Sequence, residues 1–452
     1  MKKKLTRKEV IIIGSMLFGL FFGAGNLIFP IQLGQNLGNS FFGGTMGFLI
    51  TAVGLPFLGI VAIAISQTNG IFELASRVNR KFAYMITILL YLTIGPIFAL
   101  PRLAAVSFEI AFSPYISTSM SGIVLFLFSI AFYGTALYFS FSPSGIMNIV
   151  GKRINPVYLF LLFILMIVAI ANPMGNIMEF SPQGKYMTSP FTSSFIDGYQ
   201  TMDALAALAF GVIVINTLDK IGIRDKKERT KSIIKAGSVS VLLMIVVYTG
   251  LIFLGASSLG KHIVYDNGGV ALASIVLYYF KWFGHVLLAL IVVIGCLKTA
   301  IGLINACSQS FSDLSNNKYQ TKTLAIIIAV VSCLIANFGL NSLISLSVPV
   351  LMFIYPLIIA LTFLGIFSPL FDDSPYVYKY VIYITMIASL GEFLNALPID
   401  IKKNVIVSQV LKIYHVYVPF FDIQMGWVVF LVIGFVIVVY VYKYQKIKRK
   451  YS

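Results

Sequence analysis

The stretch that decides the fold is GLFFGAGNLIFP, residues 19–30, in which an apolar helical pattern is interrupted. The run from Ile11 to Phe22 is apolar enough to begin a membrane helix, but residues 23–26 (GAGN) follow it and Pro30 lies just beyond. Glycine weakens a helix, and proline gives no N–H to the preceding turn. Within a bilayer, backbone groups freed in this way must bind protein, water or a ligand. We therefore predict a broken helix that binds a small charged molecule. The alternative is a glycine cluster that packs two helices closely.

Composition predicts an all-α integral membrane protein. The 452 residues are 59% hydrophobic and 11% charged, whereas soluble domains carry roughly 25% charged residues. Windows of about 20 apolar residues indicate about twelve transmembrane helices. The predicted spans lie near 9–37 (broken), 43–65, 82–111, 123–139, 155–171, 199–218, 233–255, 283–310, 323–338, 344–367, 378–396 and 425–442. A shorter apolar helix is expected near 269–281, and residues 1–452 are expected to form a single membrane domain.

Basic residues predict the orientation of the chain. Of the 33 Lys and Arg residues, 25 lie in alternate loops counted from the N-terminus, and 6 lie in the other set of loops. Cytoplasmic loops carry the excess of positive charge, so both termini are expected in the cytoplasm. The net charge of +17 is thus explained by topology and by contact with anionic membrane lipids, and no nucleic acid is expected as a partner. The basic N-terminus followed by an apolar run imitates a signal peptide, but the run is too long and is broken, so we interpret it as an uncleaved first span.

A second interruption is predicted at Phe210–Gly211, within residues 203–217 (DALAALAFGVIVINT). It lies five spans after the first. Two interruptions at corresponding positions of two halves are typical of inverted-repeat transporters, whose site lies at the middle of the membrane. Taken alone, a glycine such as Gly211 more often serves helix packing, but the spacing of five spans favours a break.

Four stretches carry a resemblance to a known family. They are GLFFGAGNLIFPIQLGQ (19–35), GFLITAVGLPFLGIVAIAIS (47–66), YLTIGPIFALPRLAAVSFEIAFSP (91–114) and AIGLINACSQSF (300–311). The chain resembles the BrnQ-type branched-chain amino acid carriers of bacteria, a group of leucine/isoleucine/valine:cation symporters. The resemblance implies a LeuT-like fold with two inverted five-helix repeats, here 9–172 and 198–368, and two additional helices, 376–442. It also implies uptake of leucine, isoleucine and valine across the bacterial cytoplasmic membrane, usually driven by sodium.

The expected substrate site follows from the chemistry of an α-amino acid and from the family. Backbone N–H groups at the start of a half-helix can bind the carboxylate. Carbonyls near the breaks can accept hydrogen bonds from the ammonium, and glycines permit close approach. The predicted substrate-binding residues are Phe22, Gly23, Ala24, Gly25, Asn26, Phe210 and Gly211.

A cation site is expected from the LeuT-like resemblance, in which carbonyls at the first break face span eight. The i, i+3, i+4 pattern of span eight is met by Gly295, Lys298 and Thr299, with Gly19 and Phe22 supplying the opposite carbonyls. Lys298 departs from the family, which usually has threonine there. A buried ammonium is costly in a membrane and requires a partner. Either Lys298 replaces a sodium ion, making transport proton-coupled or an exchange, or it pairs elsewhere or extends to the membrane surface.

Arg102, Glu109 and Asp203 are the predicted gate residues. Arg102 and Glu109 are seven residues apart, nearly on one helix face, and Asp203 lies near the outer end of span six. Charges at this depth usually pair. A static structural ion pair is an equal alternative to a gate.

Enzymatic function is not expected, because the sequence shows no catalytic constellation. Cys296, Cys307 and Cys333 lie in apolar spans without metal spacing, so no transition metal and no cofactor are predicted beyond a coupling Na⁺ or H⁺. No obligate protein partner is evident. An ion channel is the remaining rival, but it should show symmetric pore-lining rings.

Overall fold

A computed structural model describes residues 5–112, 115–141, 155–223, 225–261, 263–265 and 267–451. Within these ranges the protein is helical and contains no β-strand. Several basic residues used to predict orientation, among them Lys152, Arg153 and Arg224, lie outside the described residues. The predicted all-α class is confirmed.

The described α-helices follow one another through short loops. They are α1 (Arg7–Phe21), α2 (Ala24–Leu37), α3 (Phe41–Leu49), α4 (Leu55–Ser66), α5 (Ile71–Ser76), α6 (Arg80–Leu92), α7 (Ala99–Ala111), α8 (Thr118–Ser140), α9 (Asn155–Ala171), α10 (Pro190–Asp197), α11 (Asp203–Ile221), α12 (Lys226–Ser258), α13 (Gly268–Leu314), α14 (Thr321–Ala336), α15 (Leu340–Phe367), α16 (Pro375–Asn395), α17 (Ile399–Lys402), α18 (Val405–Tyr417) and α19 (Gly426–Tyr451).

Nine helical segments of the described chain are long and apolar enough to cross a membrane. Four shorter apolar helices accompany them, including Pro156–Ala171 and Thr321–Ala336, where spans are predicted. In Ser119–Ser140 and Gly426–Lys448, only 28% of the most apolar window is buried within the protein. Such wide exposure of apolar side chains suits lipid rather than water. The protein is therefore a multi-pass membrane protein, and the total of twelve spans stays a prediction.

Several helices contain local departures from α geometry. π-Helical turns at Ile50–Gly54 and Thr93–Ile97 connect α3 to α4 and α6 to α7. Lys281 has non-helical backbone angles within α13, so its first part is a separate arm. The short apolar helix predicted near 269–281 is confirmed by that arm.

Glycines allow the first broken helix to lie deep in the bundle. A Cβ atom on Gly34 of α2 would lie 2.0 Å from the Ile252 carbonyl oxygen of α12. Gly255 of α12 makes the reciprocal approach, 2.0 Å from the Ile31 carbonyl oxygen. Such close contact is typical of packed membrane helices. It fixes α2 and the break that precedes it against α12.

Candidate functional site

The first helix is broken at Phe22 and Gly23, as predicted. Phe22 has an extended backbone, with φ −77° and ψ 98°, and Gly23 has φ −119° and ψ −155° before α2 begins at Ala24. The Gly23 N–H donates to Asn26 Oδ1 at 3.0 Å. In a continuous helix it would donate to Gly19, so the break releases the Gly19 carbonyl from that bond. The predicted break in this helix is confirmed.

The second break lies at Met202, and its predicted position at Phe210–Gly211 is wrong. α10 is followed by a 3₁₀ turn, Gly198–Thr201, and then by Met202 in the left-handed region with φ 59°. From Asp203, α11 continues to Ile221. The Phe210 carbonyl therefore belongs to regular helix rather than to a break.

Gly211 has a packing role in this structure. A Cβ atom on it would lie 2.6 Å from Ile63 Cδ1 of α4. Phe210 is fully buried, with its ring 5.9 Å from that of Phe21. The alternative interpretation of Gly211 as a packing glycine fits this contact. The Phe210 side chain, rather than its backbone carbonyl, is what contacts the region of the first break.

A small cavity of about 30 Å³ lies between the two breaks. Its polar or backbone-exposing lining consists of Gly23, Gly25, Asn26, Arg102, Thr201, Asp203 and Thr299, and its apolar lining consists of Leu20, Phe21, Ile94, Ala99, Leu103, Met202, Ala206 and Leu303. The cavity thus joins the first break, the second break, the helix of Arg102 and the middle of α13. Backbone, charge and apolar surface converge at one place.

Asn26 connects the two interrupted helices. Its Nδ2 donates to Asp203 Oδ2 at 2.7 Å and also contacts the Tyr248 hydroxyl. Tyr248 in turn donates to the same Asp203 oxygen at 2.6 Å. All three side chains are buried. Buried polar groups are costly unless hydrogen-bonded, so this cluster fixes the geometry of both breaks.

Arg102 reaches the cavity from α7. Its Nη2 donates to the Gln200 carbonyl at 2.8 Å, just before the second break. The guanidinium lies 5.1 Å from the Phe29 ring centroid, and a Cβ atom on Gly25 would be 3.0 Å from Nη2. Nη1 is buried without a hydrogen-bond partner within the described chain. Arg102 can therefore bind an anion held at the start of α2.

Glu109, the other gate candidate on α7, lies elsewhere. Its Oε1 accepts a hydrogen bond of 3.0 Å from Asn267, whose own side chain caps α13. Arg102 and Asp203 share the central cavity, whereas Glu109 does not line it. The structure therefore does not bring the three predicted gate residues together.

The predicted cation site is partly assembled. Thr299 Oγ1 lies 3.1 Å from the Phe22 carbonyl oxygen and 3.3 Å from that of Gly295. The same hydroxyl thus faces the Phe22 carbonyl at the first break and the Gly295 carbonyl of α13. Oxygen ligands of this kind suit hard cations such as sodium.

Lys298 is fully buried beside that site. Its Nζ lies 3.7 Å from the Tyr158 ring centroid, 5.2 Å from that of Phe18 and 5.8 Å from that of Phe22. Aromatic faces attract cations, by about 2 kcal/mol or more when desolvated. Lys298 does not extend to the surface, and its ammonium lies among aromatic rings next to the first break.

An all-helical membrane protein with a central cavity between two interrupted helices has the architecture of LeuT-like transporters. The structure is similar to that of Mhp1, a nucleobase-cation-symport-1 family transporter, with a TM-score of 0.62 and 13% identity over 96% of this chain and 92% of that one. It is also similar to MhsT in complex with L-phenylalanine, with a TM-score of 0.59 and 14% identity over 88% of this chain and 100% of that one. At this identity the likeness shows the fold, which agrees with the predicted LeuT-like class.

The chain belongs to the family described as branched-chain amino acid transport protein, which matches residues 6–445. It is 42% identical over 430 residues to the branched-chain amino acid permease BrnQ of Lactobacillus delbrueckii subsp. lactis, covering 95% of this chain and 96% of the relative. It is 41% identical over 430 residues to BrnQ of Bacillus subtilis (strain 168), with the same coverage. The family predicted from the sequence is confirmed.

Proposed function

We propose that this protein imports leucine, isoleucine and valine by cation-coupled symport across the bacterial cytoplasmic membrane. The relatives are named as branched-chain amino acid permeases. The observation that carries the proposal is the central cavity, which presents one cationic and one anionic side chain beside an apolar wall. A zwitterion with an apolar side chain complements that combination.

In this proposal the carboxylate binds at the start of α2, where backbone N–H groups and the helix dipole favour an anion. Ala24 and Gly25 supply N–H groups there, and Nη1 of Arg102, which has no hydrogen-bond partner among the described residues, adds a charge-assisted donor. The ammonium lies toward Asp203. The aliphatic side chain packs against Leu20, Ile94, Leu103, Ala206 and Leu303. Phe22, Gly23 and Asn26 shape the break.

Alternating access follows as a further part of the proposal. The breaks at Gly23 and Met202 lie in the first helices of two halves, which supports inverted repeats at 9–172 and 198–368, with the second extended back to Pro190, where its interrupted helix begins. Residues 376–442 would add two outer helices. The charge distribution supports a cytoplasmic location for both termini. Rocking of one repeat against the other would expose the cavity to each side in turn.

Sodium is the proposed coupling ion, bound by the carbonyls of Gly19, Phe22 and Gly295 and by the Thr299 hydroxyl. A sodium-independent mechanism is the second candidate, because the Lys298 ammonium lies beside this site. There the lysine would occupy the place of an ion, and transport would be proton-coupled or an exchange. No other cofactor is invoked.

Purified protein in proteoliposomes tests both candidates. Uptake of radiolabelled leucine, isoleucine and valine is measured with a sodium gradient and a proton gradient imposed separately, and with choline replacing sodium. Saturable uptake driven by sodium alone supports symport. Undiminished uptake in choline supports the lysine mechanism, and Lys298→Thr should then make uptake depend on sodium. Fast, non-saturating flux without amino acid specificity would instead indicate a channel.

A further inference from the structure

A second, larger cavity lies at the end of the molecule that carries the loop between α4 and α6. It has a volume of about 320 Å³ and lies between α5, one face of α6 and the end of α13. The proposed orientation places this end in the cytoplasm. The lining includes Ile71, Phe72, Arg80, Thr87, Tyr91 and Asp313.

The two cavities are stacked along the same pair of helical elements. Ile94 lines the central cavity and Tyr91, three residues earlier, lines the second. On α13, Leu303 lines the central cavity and Ser310, seven residues later, lines the second. At 1.5 Å per residue, these offsets correspond to about 5–10 Å along the helices. A thin layer of protein separates the cavities.

Gly95 and Cys307 form that layer with Tyr91. A Cβ atom on Gly95 would lie 2.9 Å from Cys307 Sγ, and Cys307 Sγ lies 3.7 Å from the Tyr91 carbonyl oxygen. Gly95 belongs to the π-helical turn Thr93–Ile97 and has a non-helical ψ of −123°. π-Helical turns occur frequently at functional sites. Here the turn forms the barrier between two cavities.

The second cavity carries groups that complement an amino acid. Arg80 supplies an exposed guanidinium from α6, and Asp313 supplies a carboxylate from α13, one of whose oxygens accepts from Gln309 at 3.0 Å. Ile71 and Phe72 provide an apolar wall. Thr87 is 1% exposed, and its hydroxyl has no hydrogen-bond partner within the described residues. An unpartnered buried hydroxyl is unfavourable, and it lines this cavity.

We propose that the second cavity is an exit site that binds the transported amino acid after it passes the Gly95–Cys307 layer. Arg80 would hold the carboxylate, Asp313 the ammonium, and Thr87 would donate or accept a further hydrogen bond. The inference rests on the proposed function. It adds a binding site, distinct from the central one, that acts only from one face of the membrane.

Oriented proteoliposomes test this proposal by measuring the KM for labelled leucine separately from each face. Arg80→Gln should raise the KM at the Arg80 face about tenfold or more and leave the KM at the opposite face within about twofold. Lys81→Gln is the matched control, because Lys81 is an exposed neighbour that does not line the cavity. It should change neither KM.

Thr87→Val distinguishes a ligand contact from a structural role. Because the Thr87 hydroxyl has no hydrogen-bond partner in the described part of the chain, valine should leave the melting temperature unchanged or higher while raising the KM at the Arg80 face severalfold. If wild-type protein transports leucine but Arg80→Gln and Thr87→Val both keep the wild-type KM at that face, the proposal of an exit site is wrong and the proposed function stands. If wild-type protein transports no branched-chain amino acid from either face, the proposed function itself fails.

Discussion

The Asp203 carboxylate accepts a hydrogen bond of 2.7 Å from the Asn26 side-chain amide, which ties the two interrupted helices together at their breaks. The Oδ1 atom of the same Asn26 side chain accepts a hydrogen bond of 3.0 Å from the Gly23 N–H. One side chain thus caps the half-helix α2 and binds the first residue of α11. Movement of either half-helix must alter this contact. The hydrogen bond should therefore differ between conformations in which the cavity is open to opposite sides of the membrane.

A residue exchange tests whether this pair is functional. Asn26→Asp places two carboxylates side by side, and Asp203→Asn removes the charge proposed to bind the ammonium. A hydrogen bond to a charged group contributes about 1.5–3 kcal/mol, so each single variant should lose roughly tenfold or more in kcat/KM for leucine uptake. The double variant restores an amide–carboxylate pair and should be more active than either single one.

Protein amount and monodispersity in detergent serve as the control for this exchange. If both single variants fold and transport like the wild type, the pair does not contribute to transport. Strictly additive losses in the double variant would mean that the two residues act independently.

Thr299→Val tests the cation site. The substitution keeps the shape of the side chain but removes the hydroxyl that faces the Phe22 and Gly295 carbonyls. The sodium concentration for half-maximal leucine uptake should rise about tenfold, equivalent to ~1.4 kcal/mol.

Thr385→Val is the matched control for that measurement. Thr385 is buried like Thr299, but its hydroxyl donates to Val381 within its own helix α16. It should leave the sodium dependence unchanged. An unaltered sodium dependence in the Thr299 variant as well would remove this hydroxyl from the coupling site.

The first break was predictable because its cause is local. Residues 23–26 weaken the helix by composition, and Pro30 follows within the next two turns. The second break has no such signal, since Met202 is neither glycine nor proline yet adopts a left-handed conformation. The helix before it, PFTSSFID, is too short and polar to resemble half of a membrane span. A usable hint was the acidic Asp203, which is favoured in the first turn of a helix.

The partners within the site could not be predicted from sequence spacing. Asn26 and Asp203 are 177 residues apart and meet only because both helices break at the same depth. Arg102 and Glu109 illustrate the opposite limit: seven residues apart on one helix, they bind Gln200 and Asn267 respectively. Spacing along one helix gives the face that two residues share, but the neighbouring helices decide their partners.

Gly211→Ala tests the packing role that replaces the predicted break. The added methyl group would lie 2.6 Å from Ile63 Cδ1. Overpacking of this kind costs about 1–3 kcal/mol, so the melting temperature should fall by several degrees. Ile63→Val removes the clashing methyl group, and the double variant should recover most of the stability. Because α11 is continuous at this point, the KM for leucine in the double variant should match that of the wild type. A tenfold higher KM in the double variant, despite recovered stability, would indicate that Gly211 does contribute to the substrate site.

Gly95→Ala tests whether the layer between the two cavities moves during transport. The new methyl group would lie 2.9 Å from Cys307 Sγ and 3.7 Å from its Cβ, so it wedges the π-helical turn against α13. We expect kcat for leucine uptake to fall at least about tenfold, while leucine binding at equilibrium to the central site changes little.

Cys307→Ala removes the sulfur atom that clashes, so the Gly95→Ala/Cys307→Ala variant should regain most of the transport rate. Cys307→Ala alone should transport at nearly the wild-type rate, because Sγ makes only the weak 3.7 Å contact with the Tyr91 carbonyl. If Gly95→Ala binds and transports normally, the turn need not open for release, and leucine must leave the central cavity by another route.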